Sequence, residues 1–141
     1  MKILLAVDGS SYTKKMLAYL ATHAELFGPS RNEFHAFTVQ AAVPPRARSA
    51  LGSDVVNKYY AEDAEKTLGP VCKFLARHGI DAKSSYKVGH AGEEIAAMAT
   101  KGGFDLVVMG SHGHSALGSL VMGSVASRVL AHCPVPVLLV R

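Results

Sequence analysis

Glycine, serine and histidine crowd one short stretch of the sequence, MGSHGHSALGSLVMGS at residues 109–124. It holds four glycines and two histidines, and it follows an apolar run that is typical of a buried strand. Glycine lets the backbone come close to a ligand, and successive free N–H groups before a helix bind an anion without a charged side chain. The stretch is therefore a candidate phosphate site. A loop whose small residues only permit close helix packing explains the composition equally well.

The place where the next helix begins bears on this choice. Apolar spacing is compatible with a helix over 119–132, or with one that begins near Ser124. In the second case the Ser124 hydroxyl caps the helix and reaches a phosphate oxygen, and residues 111–122 form a loop around the ligand. Neither a Walker A sequence nor a G-x-G-x-x-G fingerprint is present, so a nucleotide site here is of another type.

The two histidines, His112 and His114, also have a spacing that metal ligands use. A third ligand would come from Asp8 or His90, but nothing in the sequence requires it, so a loop or packing role is favoured for the pair. A serine hydrolase is disfavoured, because no G-x-S-x-G sequence follows any of the predicted strands.

Alternating apolar segments predict the elements that position these residues. Predicted strands, the third of them at or near an edge, lie at 2–7, 33–39, 81–88, 105–109 and 136–140. Predicted helices lie at 11–27, 54–78 with a kink at Gly69-Pro70, 91–100 and 119–132. Strands that alternate with helices indicate an α/β fold with one five-stranded parallel sheet, doubly wound, in a single domain spanning 1–141.

In such a sheet, ligands bind beyond the carboxyl ends of the strands, where the strand order reverses. Asp8 follows the first strand, Thr38 and Val39 end the second, and Met109 and Gly110 end the fourth. If the first and fourth strands are neighbours, their ends meet in one crevice. Asp8 then binds a ligand, since burying a carboxylate there is otherwise costly; the alternative is an Asx-turn that caps the first helix.

Residues 40–53 form a proline-rich, basic segment, QAAVPPRARSALGS. An irregular loop of this length is usually functional or disordered. Arg46 and Arg48 have the charge to reach a triphosphate, although a solvated loop is the favoured interpretation.

Composition and charge exclude several classes of protein. Hydrophobic residues make up 49% of the chain and charged residues 18%, which indicates a globular protein. The net charge of +4 is scattered, so we expect no nucleic-acid partner. No apolar run reaches membrane-span length, and the apolar run in MKILLAVDGS is too short for a signal peptide, so we expect a cytoplasmic protein without membrane contact. Cys72 and Cys133 have no metal or redox spacing, which favours free buried thiols.

The glycine spacing resembles one family. Gly110-x2-Gly113-x9-Gly123-Ser124 is similar to the pattern G-x2-G-x9-G-[S/T] of the nucleotide-binding branch of the universal stress protein family. ILLAVDGS, VGHAGEEIAAMA and the C-terminal run from FDLVVMG to VLLVR also resemble that family, so the likeness covers the whole chain. It implies a Rossmann-like sandwich of the adenine nucleotide alpha-hydrolase-like type, with ATP, and Mg²⁺ on its phosphates, as ligand.

The resemblance also implies which residues bind the nucleotide. Asp8 faces the adenosine, the backbone at Thr38 and Val39 meets the adenine edge, and the glycines approach the phosphates. The implied nucleotide-binding residues are Ala6, Val7, Asp8, Thr38, Val39, Met109, Gly110, Gly113, His114, Gly123, Ser124 and Val125. No catalytic residue and no protein-only metal site is implied.

The resemblance further implies a homodimer in which the last strand, 136–140, pairs with its copy. An exposed apolar edge strand is a liability unless it is covered. The expected function is that of an ATP-binding regulatory protein of the stress response with an unknown protein partner. We expect at most slow ATP turnover or autophosphorylation, because no acid pair is present in the loop. The alternative is a nucleotide-free dimer that acts through protein contacts.

Overall fold

Strands and helices alternate along the chain in the computed structural model, which describes residues 1–114 and 122–141. The strands are β1 (Lys2–Ala6), β2 (Glu33–Gln40), β3 (Lys83–Val88), β4 (Leu106–Gly110) and β5 (Val137–Val140). The helices are α1 (Ser11–Thr22), α2 (Ala24–Phe27), α3 (Pro45–Leu51), α4 (Ser53–Arg77), α5 (Ala91–Lys101) and α6 (Ser124–His132).

The five strands form one parallel sheet in the order β3-β2-β1-β4-β5. The predicted doubly wound fold and the edge position of the third strand are confirmed. β1 lies between β2 and β4, and Ala6 is in register with Phe37 on one side and Met109 on the other. The strand order reverses at β1, so the ends of β1 and β4 meet where a ligand is expected.

Side chains that alternate along the central strands fill a core on each face of the sheet. One core joins α1 and α4 to the sheet and includes Leu5, Leu20 and Leu75. The other joins α5 and α6 to the sheet and includes Phe37 and Val107. Because β1, β2 and β4 are covered on both faces, their carboxyl ends are held rigidly.

Two sequence predictions about the helices are wrong. Residues 40–53 are not an irregular loop, because they contain α3, whose first residue is Pro45. Proline suits the first position of a helix, and the alanine, arginine and leucine that follow are strong helix formers. The predicted helix over 11–27 is divided at His23, which ends α1 and precedes the four-residue α2.

The remaining helices agree with the sequence in type and differ in detail. α4 is one continuous helix with Pro70 inside it. α6 begins at Ser124, in agreement with the second of the two predicted starts. The predicted cap is wrong, because the N-cap is Gly123 and no side chain makes a capping bond there. Gly118, and most of the loop predicted over 111–122, lie outside the described residues.

Candidate functional site

A cavity of about 320 Å³ opens at the carboxyl ends of β1 and β4, between the sheet and helices α5 and α6. Eleven of the twelve predicted nucleotide-binding residues line it: Ala6, Val7, Asp8, Val39, Met109, Gly110, Gly113, His114, Gly123, Ser124 and Val125.

Thr38 is the predicted residue that does not line the cavity. It is buried, and its neighbour Phe37 belongs to the core beneath α5 and α6. Because side chains alternate along a strand, Thr38 faces the opposite side of the sheet, while Val39 faces the cavity.

The cavity lining divides into an apolar part and a polar part. Side chains of the second core form the apolar part, which includes Val39, Ile95 and Met109. The polar part consists of Asp8, Thr13, the histidines and the glycine-rich backbone around Gly113 and Gly123. A flat apolar ring and an anionic tail would match these two parts.

At the glycine positions, neighbouring backbone or side-chain atoms lie too close for a larger residue. A Cβ atom on Gly110 would lie 2.6 Å from Cβ of Tyr12. A Cβ atom on Gly123 would lie 3.0 Å from Cα of His112 and 3.1 Å from the Ser111 carbonyl oxygen. The Gly123 N–H donates to that same carbonyl at 2.7 Å, which holds the first turn of α6 against the end of β4. Small residues are therefore required here by close approach.

Gly113 lies opposite the carboxylate of Asp8. A Cβ atom on Gly113 would lie 2.6 Å from Oδ2 of Asp8, so a larger residue would fill the polar part of the cavity. The Gly113 backbone is thereby kept open to a ligand.

Asp8 is exposed, contrary to the burial that the sequence argument assumed. Its Oδ1 accepts the N–H of Ser10 at 2.9 Å, which is the predicted Asx-turn before α1. Oδ1 also accepts the hydroxyl of Thr13 at 3.0 Å. Since Ser10, the N-cap of α1, makes no side-chain capping bond, Asp8 supplies local order at this helix start.

The histidines of the glycine-rich stretch have different environments. Nε2 of His114 donates to the backbone carbonyl of Asp8 at 2.6 Å, which ties the end of β1 to the loop after β4. The ring of His112 packs against that of Tyr12 at 5.0 Å, and its Nδ1 lies 2.9 Å from Oγ of Ser111. Over residues 1–114 and 122–141, no group of three or more His, Cys, Asp or Glu side chains is placed to hold a metal ion.

No lysine or arginine lines the described part of the cavity. Arg46 and Arg48, which the sequence made candidates for a triphosphate, are exposed on α3 and are not among the lining residues. An anion bound here would rely on backbone N–H groups and on the N-terminus of α6, which is the chemistry that the glycine spacing predicts.

Helices α5 and α6 are fixed to each other beside the cavity. An ion pair joins Arg128 and Glu93, with a nitrogen–oxygen distance of 2.7 Å, and the hydrogen bond from Arg128 lowers the pKa of Glu93. Gly92 packs directly beneath Arg128, since a Cβ atom there would lie 2.4 Å from Cβ of Arg128. This packing keeps α6 close to α5 beside the cavity.

Sequence reasoning missed five residues that line the described part of the cavity. They come from helices or lie beside the predicted glycines, and they are Thr13, Ala91, Ile95, His112 and Ala126. Ile95 has the helical apolar spacing of the predicted helix over 91–100, a pattern that indicates burial but not that the residue borders a cavity. Thr13 offered the clearer signal, because a threonine in the first turn after Asp8 is suited to bond back to it.

Comparison with known proteins agrees with the fold and the glycine spacing. The sequence model of the universal stress protein family matches residues 1–141. The chain belongs to the universal stress protein family.

Relatives within the family cover the chain almost completely. A universal stress protein of Thermus aquaticus is 34% identical over 140 residues, which are 99% of this chain and 97% of that protein. Another, from Synechocystis sp., is 33% identical over 141 residues, and there the chain spans only 42% of the relative. The solved structure of MJ0577 from Methanocaldococcus jannaschii has a TM-score of 0.83 at 28% identity, covering 99% of this chain and 94% of that one.

Two more distant family structures carry nucleotides. The universal stress protein of Archaeoglobus fulgidus was solved in complex with dAMP; its TM-score is 0.67 at 20% identity, covering 100% of this chain and 98% of that one. A family member from Arabidopsis thaliana was solved with AMP bound; its TM-score is 0.69 at 15% identity, covering 99% of this chain and 90% of that one. At these identities the likeness is one of fold.

None of the helices in the described ranges is both long enough and apolar enough to cross a bilayer.

Proposed function

We propose that this universal stress protein binds ATP in the cavity at the ends of β1 and β4 and acts as a regulatory protein of the stress response. The observation that carries the proposal is the junction of Gly113, Gly123 and the N-terminus of α6 with an apolar slot in the same cavity. The adenine ring fills the slot beside Val39 and Ile95, and the phosphates lie against the glycine backbone. The AMP and dAMP complexes of relatives support this choice of ligand class.

We further propose that ATP binds as its magnesium complex. ATP carries several negative charges, the described lining contributes the carboxylate of Asp8, and it contributes no lysine or arginine. A divalent cation on the phosphates offsets that charge. The residues present would meet such a complex through Asp8 and the backbone around Gly113.

Nucleotide extraction tests the proposal directly. The purified protein is denatured, and the supernatant is chromatographed for released adenine nucleotide. A thermal-shift titration with ATP follows, with and without magnesium. We expect the melting temperature to rise only when ATP and magnesium are both present. Absence of released nucleotide together with absence of a shift would favour a nucleotide-free protein that acts through protein contacts.

The proposed function is regulatory, with at most slow ATP turnover or autophosphorylation. Phosphoryl transfer requires a group that positions the attacking water or hydroxyl, and Asp8 is the acidic residue among those that line the described part of the cavity. Two contacts of Asp8 hold its Oδ1 within the turn before α1. ATP hydrolysis at about 10 s⁻¹, an ordinary enzyme rate, would contradict the regulatory proposal.

The assembly that we propose is a homodimer in which strand β5, within residues 136–140, pairs with the same strand of a second copy. β5 is an edge strand, and all four of its residues are partly exposed. Pairing would cover an apolar edge that otherwise invites aggregation.

A further inference from the structure

The carboxylate of Asp8 is held in one orientation by the side chain of Thr13. The Thr13 hydroxyl donates to Oδ1 of Asp8 at 3.0 Å and accepts the backbone N–H of Asp8 at 3.1 Å. Thr13 is buried, with 4% of its surface exposed, and it borders the cavity. A hydroxyl is suited to this position because it donates and accepts at once.

These contacts leave a single polar atom of Asp8 for a ligand. Its N–H donates to Thr13, its carbonyl accepts from His114, and Oδ1 accepts from both Ser10 and Thr13. Oδ2 makes no hydrogen bond with any residue in the described part of the chain, and it faces the backbone of Gly113 across the cavity.

We propose that Thr13 is a positioning residue for nucleotide binding: it fixes the Asp8 side chain so that Oδ2 alone faces the ligand. The inference rests on the proposed ATP site. A carboxylate beside phosphates repels them unless it is aimed at a hydrogen-bond donor or a metal-bound water of the ligand. Fixing the carboxylate before binding avoids the ordering cost that a freely rotating side chain would add to each binding event.

Calorimetric titration with magnesium ATP tests the proposal through a double-mutant cycle. Thr13→Val keeps the side-chain shape but has no hydroxyl, and we expect it to weaken ATP binding about tenfold, the effect of losing a hydrogen bond to a charged group. Thr13→Ser keeps the hydroxyl and is expected to restore most of the affinity. On an Asp8→Ala background, Thr13→Val should have no further effect on ATP affinity, because the carboxylate that the hydroxyl positions is already absent and the bond from the N–H of residue 8 is lost in both backgrounds.

A matched control separates positioning from general loss of stability. Thr100 lies in α5, its hydroxyl donates to the Ala96 carbonyl at 2.8 Å, and it does not border the cavity. Thr100→Val should leave ATP affinity unchanged. A crystal structure of Thr13→Val without nucleotide supplies a readout that does not depend on ligand, and a rotated Asp8 carboxylate is expected.

The outcomes distinguish this inference from the proposed function. If the wild-type protein binds ATP and the Thr13→Val variant binds it equally well, the positioning role is wrong while the ATP site stands. The same conclusion follows if Thr13→Val lowers ATP affinity as much on the Asp8→Ala background as it does alone. An unchanged Asp8 rotamer in Thr13→Val also contradicts it. If the wild-type protein binds no nucleotide, the proposed function fails and the positioning role fails with it.

Discussion

Single glycines decide whether the cavity stays open. Gly113 and Gly110 both line it, but a side chain at each would meet a different neighbour. At Gly113 the neighbour is Oδ2 of Asp8, a ligand-facing atom, whereas at Gly110 it is the first helical turn around Tyr12. The two positions should therefore separate a loss of binding from a loss of stability.

Gly113→Val should abolish the rise in melting temperature that magnesium ATP causes. The new side chain occupies the space beside Asp8 and covers the backbone that would meet the phosphates. The melting temperature without nucleotide should stay within about 4 °C of wild type, a shift that corresponds to about 1 kcal/mol or less. Gly110→Ala should instead lower the nucleotide-free melting temperature, since its Cβ would lie 2.6 Å from that of Tyr12. Full ATP response in Gly113→Val would contradict the phosphate assignment.

His35, at the opposite end of the sheet, makes stability depend on pH. Its pKa is lowered from the ordinary value of 6.5 by burial and by the charges of Lys2 and Lys83. The unfolded chain therefore binds a proton more readily than the folded one, so the free energy of unfolding falls as the pH drops through the window below 6.5.

His35→Gln should reduce this acid sensitivity, because glutamine does not titrate yet can still bond to Ser85, whose Oγ lies 2.7 Å from Nε2 of His35. Urea denaturation at pH 7.5 and pH 5 measures it. The decrease in unfolding free energy between the two pH values should be smaller in the variant than in the wild type. An equal decrease in both proteins would show that His35 does not contribute.

At the scale of whole elements, the sequence predicted strands better than helix ends. The apolar runs that became β1 and β4 are buried on both faces, so pattern and structure have the same physical cause. Helix boundaries depend on local choices instead. At His23 the backbone leaves helical geometry with φ −121° and ψ 50°, although the apolar spacing continues to Phe27.

The candidate site was predictable where it consists of backbone and less so where it consists of packed side chains. The spacing of Gly110, Gly113 and Gly123 follows from close approach, which glycine alone tolerates. The contribution of Ile95 depends on how far α5 lies from the sheet, a distance that no local pattern contains. Helix α3 was not predicted either, because its proline-rich sequence resembles that of a loop.

Contact between α5 and α6 should depend on the small size of Gly92. Glycine to alanine in a helix ordinarily gains about 1 kcal/mol of stability. Here the added Cβ would stand 2.4 Å from Cβ of Arg128, and overpacking of this kind costs about 1–3 kcal/mol. We expect Gly92→Ala to be destabilised in urea denaturation without nucleotide.

Arg128→Ala is the control for that prediction. It removes the ion pair with Glu93 but keeps its own Cβ, and because the pair is solvent-exposed the change in stability should be much smaller than that of Gly92→Ala. Equal or greater stability in Gly92→Ala than in the wild type would mean that the helices separate at little cost.

At the scale of the whole molecule, the sheet has two unpaired edges with opposite character. β3 is polar, with exposed Lys83 and Lys87 that discourage further pairing. β5 consists of Val137–Val140 and carries no charge. The same five-stranded sheet thus protects one edge and leaves the other suited to a second copy.

The direction of the β5 backbone allows the proposed pairing to be broken without unfolding the sheet. The carbonyls of Pro136 and Val140 accept from the N–H groups of Val107 and Ser111 on β4, at 2.9 and 2.8 Å. Residues of a parallel strand alternate between neighbours, so the N–H of Leu139 points to the open edge.

Leu139→Pro should convert the proposed dimer to a monomer in sedimentation equilibrium, with an unchanged circular dichroism spectrum, because proline is tolerated on an edge strand. Leu138→Pro, which removes an N–H directed at β4, should instead destabilise the fold. A wild-type monomer, or a dimer that Leu139→Pro leaves intact, would exclude β5 pairing.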